Sequence, residues 1–124
     1  MGEGLELAAT AGSVRIARQW CAERLLTMGA GELVDTVTLL VSELVTNVVL
    51  HAKTPCFLRL EAGDRLRVEV RDGSNHAPAS PLPFDIEAPS GRGLALIDAL
   101  SDAHGTVIEP DGKRVWFEVA WPTE

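Results

Sequence analysis

The residues that could do chemistry begin with three polar side chains inside an otherwise apolar run. The segment SELVTNVVLHA (42–52) places Glu43, Asn47 and His51 four residues apart. Side chains at this spacing lie along one edge of an α-helix. A carboxylate and a carboxamide one turn apart suit Mg²⁺, which prefers oxygen ligands, and such a carboxylate can also accept a proton from an attacking hydroxyl. A helix edge facing solvent would show the same pattern, so this cluster leaves both interpretations open.

A second candidate stands at the end of a predicted strand. The segment RLRVEVRD (65–72) alternates between apolar and charged residues, and the alternation puts Asp72 on the apolar face. A carboxylate there can accept a hydrogen bond from an exocyclic amine such as that of adenine, and Gly73 lets the backbone turn or a flat ring approach. An aspartate that caps an ordinary turn is the alternative.

The third candidate is the glycine pair in SGRGLAL (90–96), where Gly91 and Gly93 flank Arg92 directly before a predicted helix. Backbone N–H groups at the start of a helix bind phosphate, and glycine removes the side chains that would block it. Glycines that merely end a loop would look the same. Together, a divalent-ion site, an adenine acceptor and a phosphate site predict an ATP site.

The elements that must position these residues follow from the hydrophobic periodicity. We predict a helix from the N-cap Ser13 to Gly29 and Gly31, a second helix over 32–52, strands over 56–61 and 65–72, a loop over 73–92, a helix over 93–105, and a closing hairpin from 105 to 121 around the turn PDGK. The first twelve residues are a loose arm or a short strand, which gives an N-terminal arm (1–12) and one domain (13–124). Short turns between neighbouring strands predict a mixed, mostly antiparallel sheet with helices on one face, a two-layer α/β sandwich.

Composition narrows the class of protein. The chain has 124 residues, 46% hydrophobic and 23% charged, and a net charge of −7, which argues against nucleic acid as a partner. Cys21 and Cys56 sit in no ligand spacing, so we interpret both as small buried hydrophobic residues. No signal peptide is evident and no run reaches the ~20 apolar residues of a membrane span. These features predict a cytoplasmic protein without a membrane partner.

The segment SELVTNVVLHA resembles the N box of the GHKL (histidine kinase-like) ATPase superfamily, while RDGS (71–74) and GRGLAL (91–96) resemble its G1 and G2 regions in the expected order. Within that superfamily the chain is similar to the bacterial anti-sigma-factor serine/threonine kinases, the RsbW-like group, over about residues 12–122. The resemblance implies the Bergerat ATP-binding fold, with ATP and Mg²⁺ as cofactors.

The resemblance also implies a role for each matching residue. Glu43 matches the general base, Asn47 the Mg²⁺ ligand, and Asp72 the residue that bonds adenine, with Gly73 beside it. His51 would line the pocket, and the loop 73–92 would be the ATP lid. The cofactor-binding residues of the G2 region would be Gly91, Arg92, Gly93 and Leu94.

The chain departs from the family pattern at two places. Ser74 and His76 stand where the G1 pattern DxGxG has glycines. Where relatives often carry a threonine close to adenine, this chain has Arg114, after Gly112 and Lys113. A bulky cation there would weaken adenine binding or point to solvent, so we expect modest nucleotide affinity.

The function that the resemblance implies is that of an ATP-binding regulatory kinase. It would bind a sigma factor and phosphorylate a serine on an anti-sigma factor antagonist of the STAS type, and a homodimer is compatible with this. One alternative is a nucleotide-dependent module that only sequesters a partner. Another is a histidine-kinase catalytic fragment, which would need an upstream helix pair that residues 1–12 are too short to hold.

A metal site of His51, His76, His104, Asp72 and a cysteine has no short ligand spacing to support it; His104 fits a helix C-terminal cap better.

Overall fold

The structure is a computed structural model that describes residues 2–74 and 91–122. A 3₁₀ turn (Gly31–Leu33) leads into the second helix, and a π-helical turn (Val48–Ala52) follows it. Most of the predicted lid, residues 75–90, lies outside the described ranges. The helices and strands are β1 Gly2–Leu7, α1 Gly12–Thr27, α2 Val34–Asn47, β2 Cys56–Glu61, β3 Arg65–Asp72, α3 Gly91–Leu100, β4 Ala103–Glu109 and β5 Gly112–Ala120.

The five strands form one sheet in the order β1-β2-β3-β5-β4, and each neighbouring pair is antiparallel. The sequence left open whether the N-terminal residues form a loose arm or a short strand. The structure shows the strand: β1 pairs with β2 at one edge of the sheet. The predicted two-layer α/β sandwich is confirmed, with a sheet that is antiparallel throughout its described pairings.

The core lies between the inner face of this sheet and the three helices. Alternate residues of β3 and β5 are buried as the period-two pattern predicts, and Phe117 at the centre is fully buried. The helices contribute one apolar stripe each, which includes Ala17, Leu40 and Ile97. Burial of these apolar stripes is what holds the helices against the inner face of the sheet.

The other face of the sheet carries charged side chains that pair with one another. Arg67 bonds Glu118 at 3.1 Å, and its guanidinium lies 4.1 Å from the ring centre of Trp116. The half-buried Trp116 is therefore covered by a cation on its own sheet. A polar outer face of this kind is typical of an antiparallel sheet with helices on one side only.

Both ends of α1 show how local sequence sets the helix. Ser13 is not the N-cap: it lies buried in the first turn, and its hydroxyl donates to the carbonyl of Ala8 at 2.6 Å. Gly29 has a φ of +78°, and the N–H groups of Gly29 and Ala30 bond the carbonyls of Leu26 and Leu25. This is the glycine-terminated helix end that the sequence predicted.

The third helix ends five residues earlier than predicted. After Leu100 the chain enters β4, because the N–H of Asp102 bonds the carbonyl of Glu118 at 2.8 Å and its carboxylate accepts from the N–H of Ala120 at 2.7 Å. His104 therefore lies on a strand, and the prediction of a helix cap is wrong. Its Nε2 is 3.1 Å from Oδ1 of Asp98.

One helical stretch, Gly31–Ala52, is long and apolar enough by length and composition to cross a membrane, contrary to the expectation that no segment reaches that size. Core helices meet the same criterion. Here the apolar residues of α2 pack into the core of the molecule, among them Val37, Leu40 and Leu44.

Candidate functional site

The candidate site is organised around the end of β3, where the strand leaves the sheet. Asp72 is 5% exposed, on the same face as the buried Val68 and Val70. One of its carboxylate oxygens, Oδ1, accepts a hydrogen bond from the backbone N–H of Ser74 at 2.8 Å. The prediction that Asp72 points to the core side is thus confirmed.

The second oxygen of Asp72 meets a cation that sequence reasoning did not assign to the site. Nζ of Lys113 lies 2.8 Å from Oδ2 of Asp72, and the two side chains are 10% and 2% exposed. The two residues are directly opposite each other in the register of β3 and β5. A signal for this pair existed: Lys113 shares the inward phase of Val115 and Phe117, just as Asp72 shares that of Val70.

Backbone contacts hold this strand end in place. The N–H of Gly73 donates to Oγ1 of Thr54 at 2.9 Å. Gly112, the first residue of β5, passes so close that an added Cβ would lie 2.1 Å from the carbonyl oxygen of Asp72. Only a residue without a side chain fits at this position, since real Cβ atoms do not approach backbone that closely.

The two cysteines are buried and free, as the sequence predicted. Burial raises the pKa of the Cys21 thiol to about 12. Burial, together with the Asp72 carboxylate on the neighbouring strand, raises the pKa of Cys56 to about 11. Both thiols therefore stay protonated near neutral pH and behave as apolar groups.

The polar residues of α2 lie at its C-terminal end. Glu43 and Asn47 are half-buried and one helical turn apart. Oδ1 of Asn47 is a buried atom without a hydrogen-bond partner in the part of the chain that the structure describes. A buried polar oxygen with no partner is costly, so it points to a ligand that would satisfy it. Such an oxygen, one turn from a carboxylate, fits the oxygen ligands that Mg²⁺ prefers.

His51 is separated from this pair by a change in helix type. The α-helix ends at Asn47, and the π-helical turn that follows closes with a bond from the N–H of Lys53 to the carbonyl of Val48 at 2.7 Å. His51 therefore lies in a π turn, whereas Glu43 and Asn47 lie on the α-helix before it. His51 is exposed, and its predicted place in a pocket stays a prediction.

The G2 glycines lie at the start of a helix, as the sequence predicted. Residues Gly91, Arg92, Gly93 and Leu94 form the first turn of α3, which begins two residues earlier than predicted. Helix α3 packs against α2, and α2 also contacts β3. The three elements that carry the three candidate clusters therefore contact one another through α2.

A family model for the histidine kinase-like ATPase domain matches residues 6–119. The chain belongs to the histidine kinase-like ATPase family. The resemblance inferred from the N box, G1 and G2 segments is thereby confirmed, and the domain is an ATP-binding one.

Two further comparisons concern particular proteins. The crystal structure of the RsbU and RsbW domains of Rv1364c from Mycobacterium tuberculosis aligns with 100% of this chain at a TM-score of 0.78 and 18% identity. This chain spans 33% of the length of that one. Among curated proteins, none matches this histidine kinase-like ATPase. The structural likeness shows a shared fold.

The sequence left two outcomes open for Arg114 in this histidine kinase-like ATPase, interference with adenine binding or a position pointing to solvent. In the structure Arg114 lies on the outer face of the sheet, where it pairs with Glu109 at 3.3 Å and with Glu69 at 3.7 Å. Successive residues of a strand point to opposite faces, so Lys113 is the residue turned toward Asp72.

The described residues contain no group of three or more histidines, cysteines, aspartates and glutamates that could hold a metal.

Proposed function

We propose that this protein is an ATP-binding regulator of the anti-sigma type that phosphorylates a serine on an anti-sigma factor antagonist. The observation that carries the proposal is the half-buried pair of Glu43 and Asn47 at the end of α2, with the Asn47 carboxamide oxygen buried and without a hydrogen-bond partner among the described residues. A protein that only bound nucleotide would have no need of a carboxylate beside the ion ligand.

Each cluster contributes one function to this proposal. Asp72 accepts a hydrogen bond from the adenine amine. Asn47 would supply an oxygen ligand to Mg²⁺, which when bound would neutralise negative charge on the phosphates. The N–H groups of the first turn of α3 bind phosphate oxygens, as the glycines at 91 and 93 allow.

Glu43 acts as the general base for phosphoryl transfer. Its carboxylate accepts the proton of the serine hydroxyl as that oxygen forms a bond to the γ-phosphorus and the bond to ADP breaks. General bases of this kind contribute about 10²- to 10⁴-fold to rate. Because charge builds up on the phosphoryl oxygens, positioning by Asn47 and by α3 matters as much as the base.

The proposed partners are a sigma factor and a STAS-type antagonist. The similarity to a mycobacterial chain that contains an RsbW domain supports this choice. A net charge of −7 suits a basic protein surface and disfavours nucleic acid. We propose a cytoplasmic location with the same partners.

Phosphate transfer from labelled ATP to a serine-bearing antagonist tests the kinase function. We expect Glu43→Gln to slow transfer by at least about a hundredfold while ATP affinity, measured by calorimetry, stays within a few-fold. The matched control is Glu32→Gln, the same chemical change at an exposed residue before α2, which should transfer at the wild-type rate. Equal transfer by wild type and Glu43→Gln would remove Glu43 from the base role. ATP binding by the wild type without any transfer would favour a binding module.

The Mg²⁺ role of Asn47 has its own test. Asn47→Ala should make ATP affinity nearly independent of Mg²⁺, because the side-chain oxygen that would hold the ion is gone. Asn47→Asp keeps an oxygen at the same place and should restore a Mg²⁺ response. Titration of ATP with and without Mg²⁺ measures both, and an undiminished response in Asn47→Ala would contradict the assignment.

A further inference from the structure

The ion pair of Asp72 and Lys113 is the starting point for an inference about base recognition. Of the residues whose burial the structure describes, Ser13, Asp72 and Lys113 are the buried polar ones. Asp72 and Lys113, the two charged residues of this set, pair with each other at the end of β3. The proposed function places the adenine acceptor at this strand end. This inference rests on that proposed function.

A pair of this kind is weakly explained by stability alone. Burying two charges costs about as much as their attraction returns, so a buried ion pair is poor support for a purely structural role. An apolar residue in the phase of Val115 and Phe117 would extend the core instead. The pair therefore suggests recognition of a ligand.

The ion pair of Asp72 and Lys113 leaves hydrogen-bond donors and acceptors of both side chains available to a ligand. An ammonium group has three donors, and in the described part of the chain the ion pair with Asp72 uses one of them. Among the described residues, Oδ2 of Asp72 bonds Lys113 and Oδ1 bonds the N–H of Ser74, and each oxygen can accept a further bond. The pair thus presents an acceptor and a donor 2.8 Å apart at one position.

The Watson–Crick edge of adenine has the matching pattern. It offers an amine donor at N6 and, on the adjacent ring position, an acceptor at N1. Guanine offers the reverse, an acceptor at O6 and a donor at N1. Enzymes that select one base commonly do so through hydrogen bonds to this edge.

We propose that Lys113 is a specificity-determining residue that donates to adenine N1 while Asp72 accepts from N6. The two side chains then act as one base-reading unit. In this arrangement Arg114, the neighbouring cation on the outer face, takes no part.

The experiment compares ATP with 1-deaza-ATP, in which a C–H group replaces N1, by calorimetry on the full chain. Hydrogen bonds to charged groups are strong, so we expect the wild type to bind ATP about tenfold to a hundredfold more tightly than 1-deaza-ATP. Lys113→Met should bind the two nucleotides within about twofold of each other. Arg114→Met, the matched control, should keep the wild-type preference.

Because both nucleotides are compared in the same variant, a loss of folding stability cancels from the ratio. Equal binding of ATP and 1-deaza-ATP by the wild type would overturn the role of Lys113 and leave the proposed function standing. Tighter ATP binding by Lys113→Met would overturn it as well, since Lys113 would then be an obstacle to adenine. Absence of any adenine-nucleotide binding by the wild type would overturn both proposals.

Discussion

Replacing Asp72 with asparagine is expected to lower the free energy of unfolding by about 3 kcal/mol and ATP affinity by about a hundredfold. The loss of stability follows because Lys113, 10% exposed in its side chain, would be left without a carboxylate beside it. The loss of affinity follows because a charged acceptor for the adenine amine becomes a neutral amide. Urea denaturation measures the first effect and calorimetry with ATP the second.

Two controls separate these effects of Asp72→Asn. Asp64→Asn makes the same chemical change at an exposed position between β2 and β3 and should alter neither quantity. The double variant Asp72→Asn/Lys113→Met should recover much of the lost stability, since no unpaired charge is left in the core, and should still bind ATP poorly. Wild-type stability and affinity in Asp72→Asn would contradict both roles of the residue.

Replacing Gly112 with alanine is expected to destabilise the protein by about 3 kcal/mol and to weaken ATP binding with it. The added Cβ would lie 2.1 Å from the carbonyl oxygen of Asp72 and 3.4 Å from Cα of Gly73, and these are backbone atoms that cannot swing aside. The strand ends must then separate, at a cost typical of severe overpacking, and Asp72 moves with them. Thermal or urea unfolding and ATP titration measure the two effects.

The matched control for Gly112→Ala is Gly12→Ala, at the first residue of α1. An added Cβ there meets nothing within 4 Å, and alanine favours a helix more than glycine does, so this variant should be neutral or slightly more stable. Equal stability of the two variants would show that the close approach of β5 to Asp72 does not matter.

Much of the fold could be predicted from local patterns. Period-two alternation located β2, β3 and β5 and their inward faces, and Gly29 marked the end of α1. These patterns are reliable because burial on one face and the conformational freedom of glycine act within a few residues of the chain. The same alternation predicts Asp72 on the core side, where the structure has it.

Local patterns failed where distant groups compete for the backbone. The third helix ends at Leu100 because the next residues find sheet partners in β5, which no window around His104 contains. The closing turn also lies one residue earlier than the Asp-Gly signal suggested: Glu109 pairs with Gly112, with Pro110 and Asp111 between them. Gly112 is thereby kept in the strand, where it passes the backbone of Asp72.

The sequence by itself determined the family, the sandwich of helices on a sheet, and the residues Glu43, Asn47 and Asp72 as candidates for an ATP site. Only the tertiary structure decided that Lys113, and not Arg114, faces Asp72, and that His51 lies in a π turn and not on the α-helix of Asn47. The physical reason is that residue type and spacing fix which face a side chain takes. Which side chain it meets there depends on strand register and on hydrogen bonds between residues far apart in the chain.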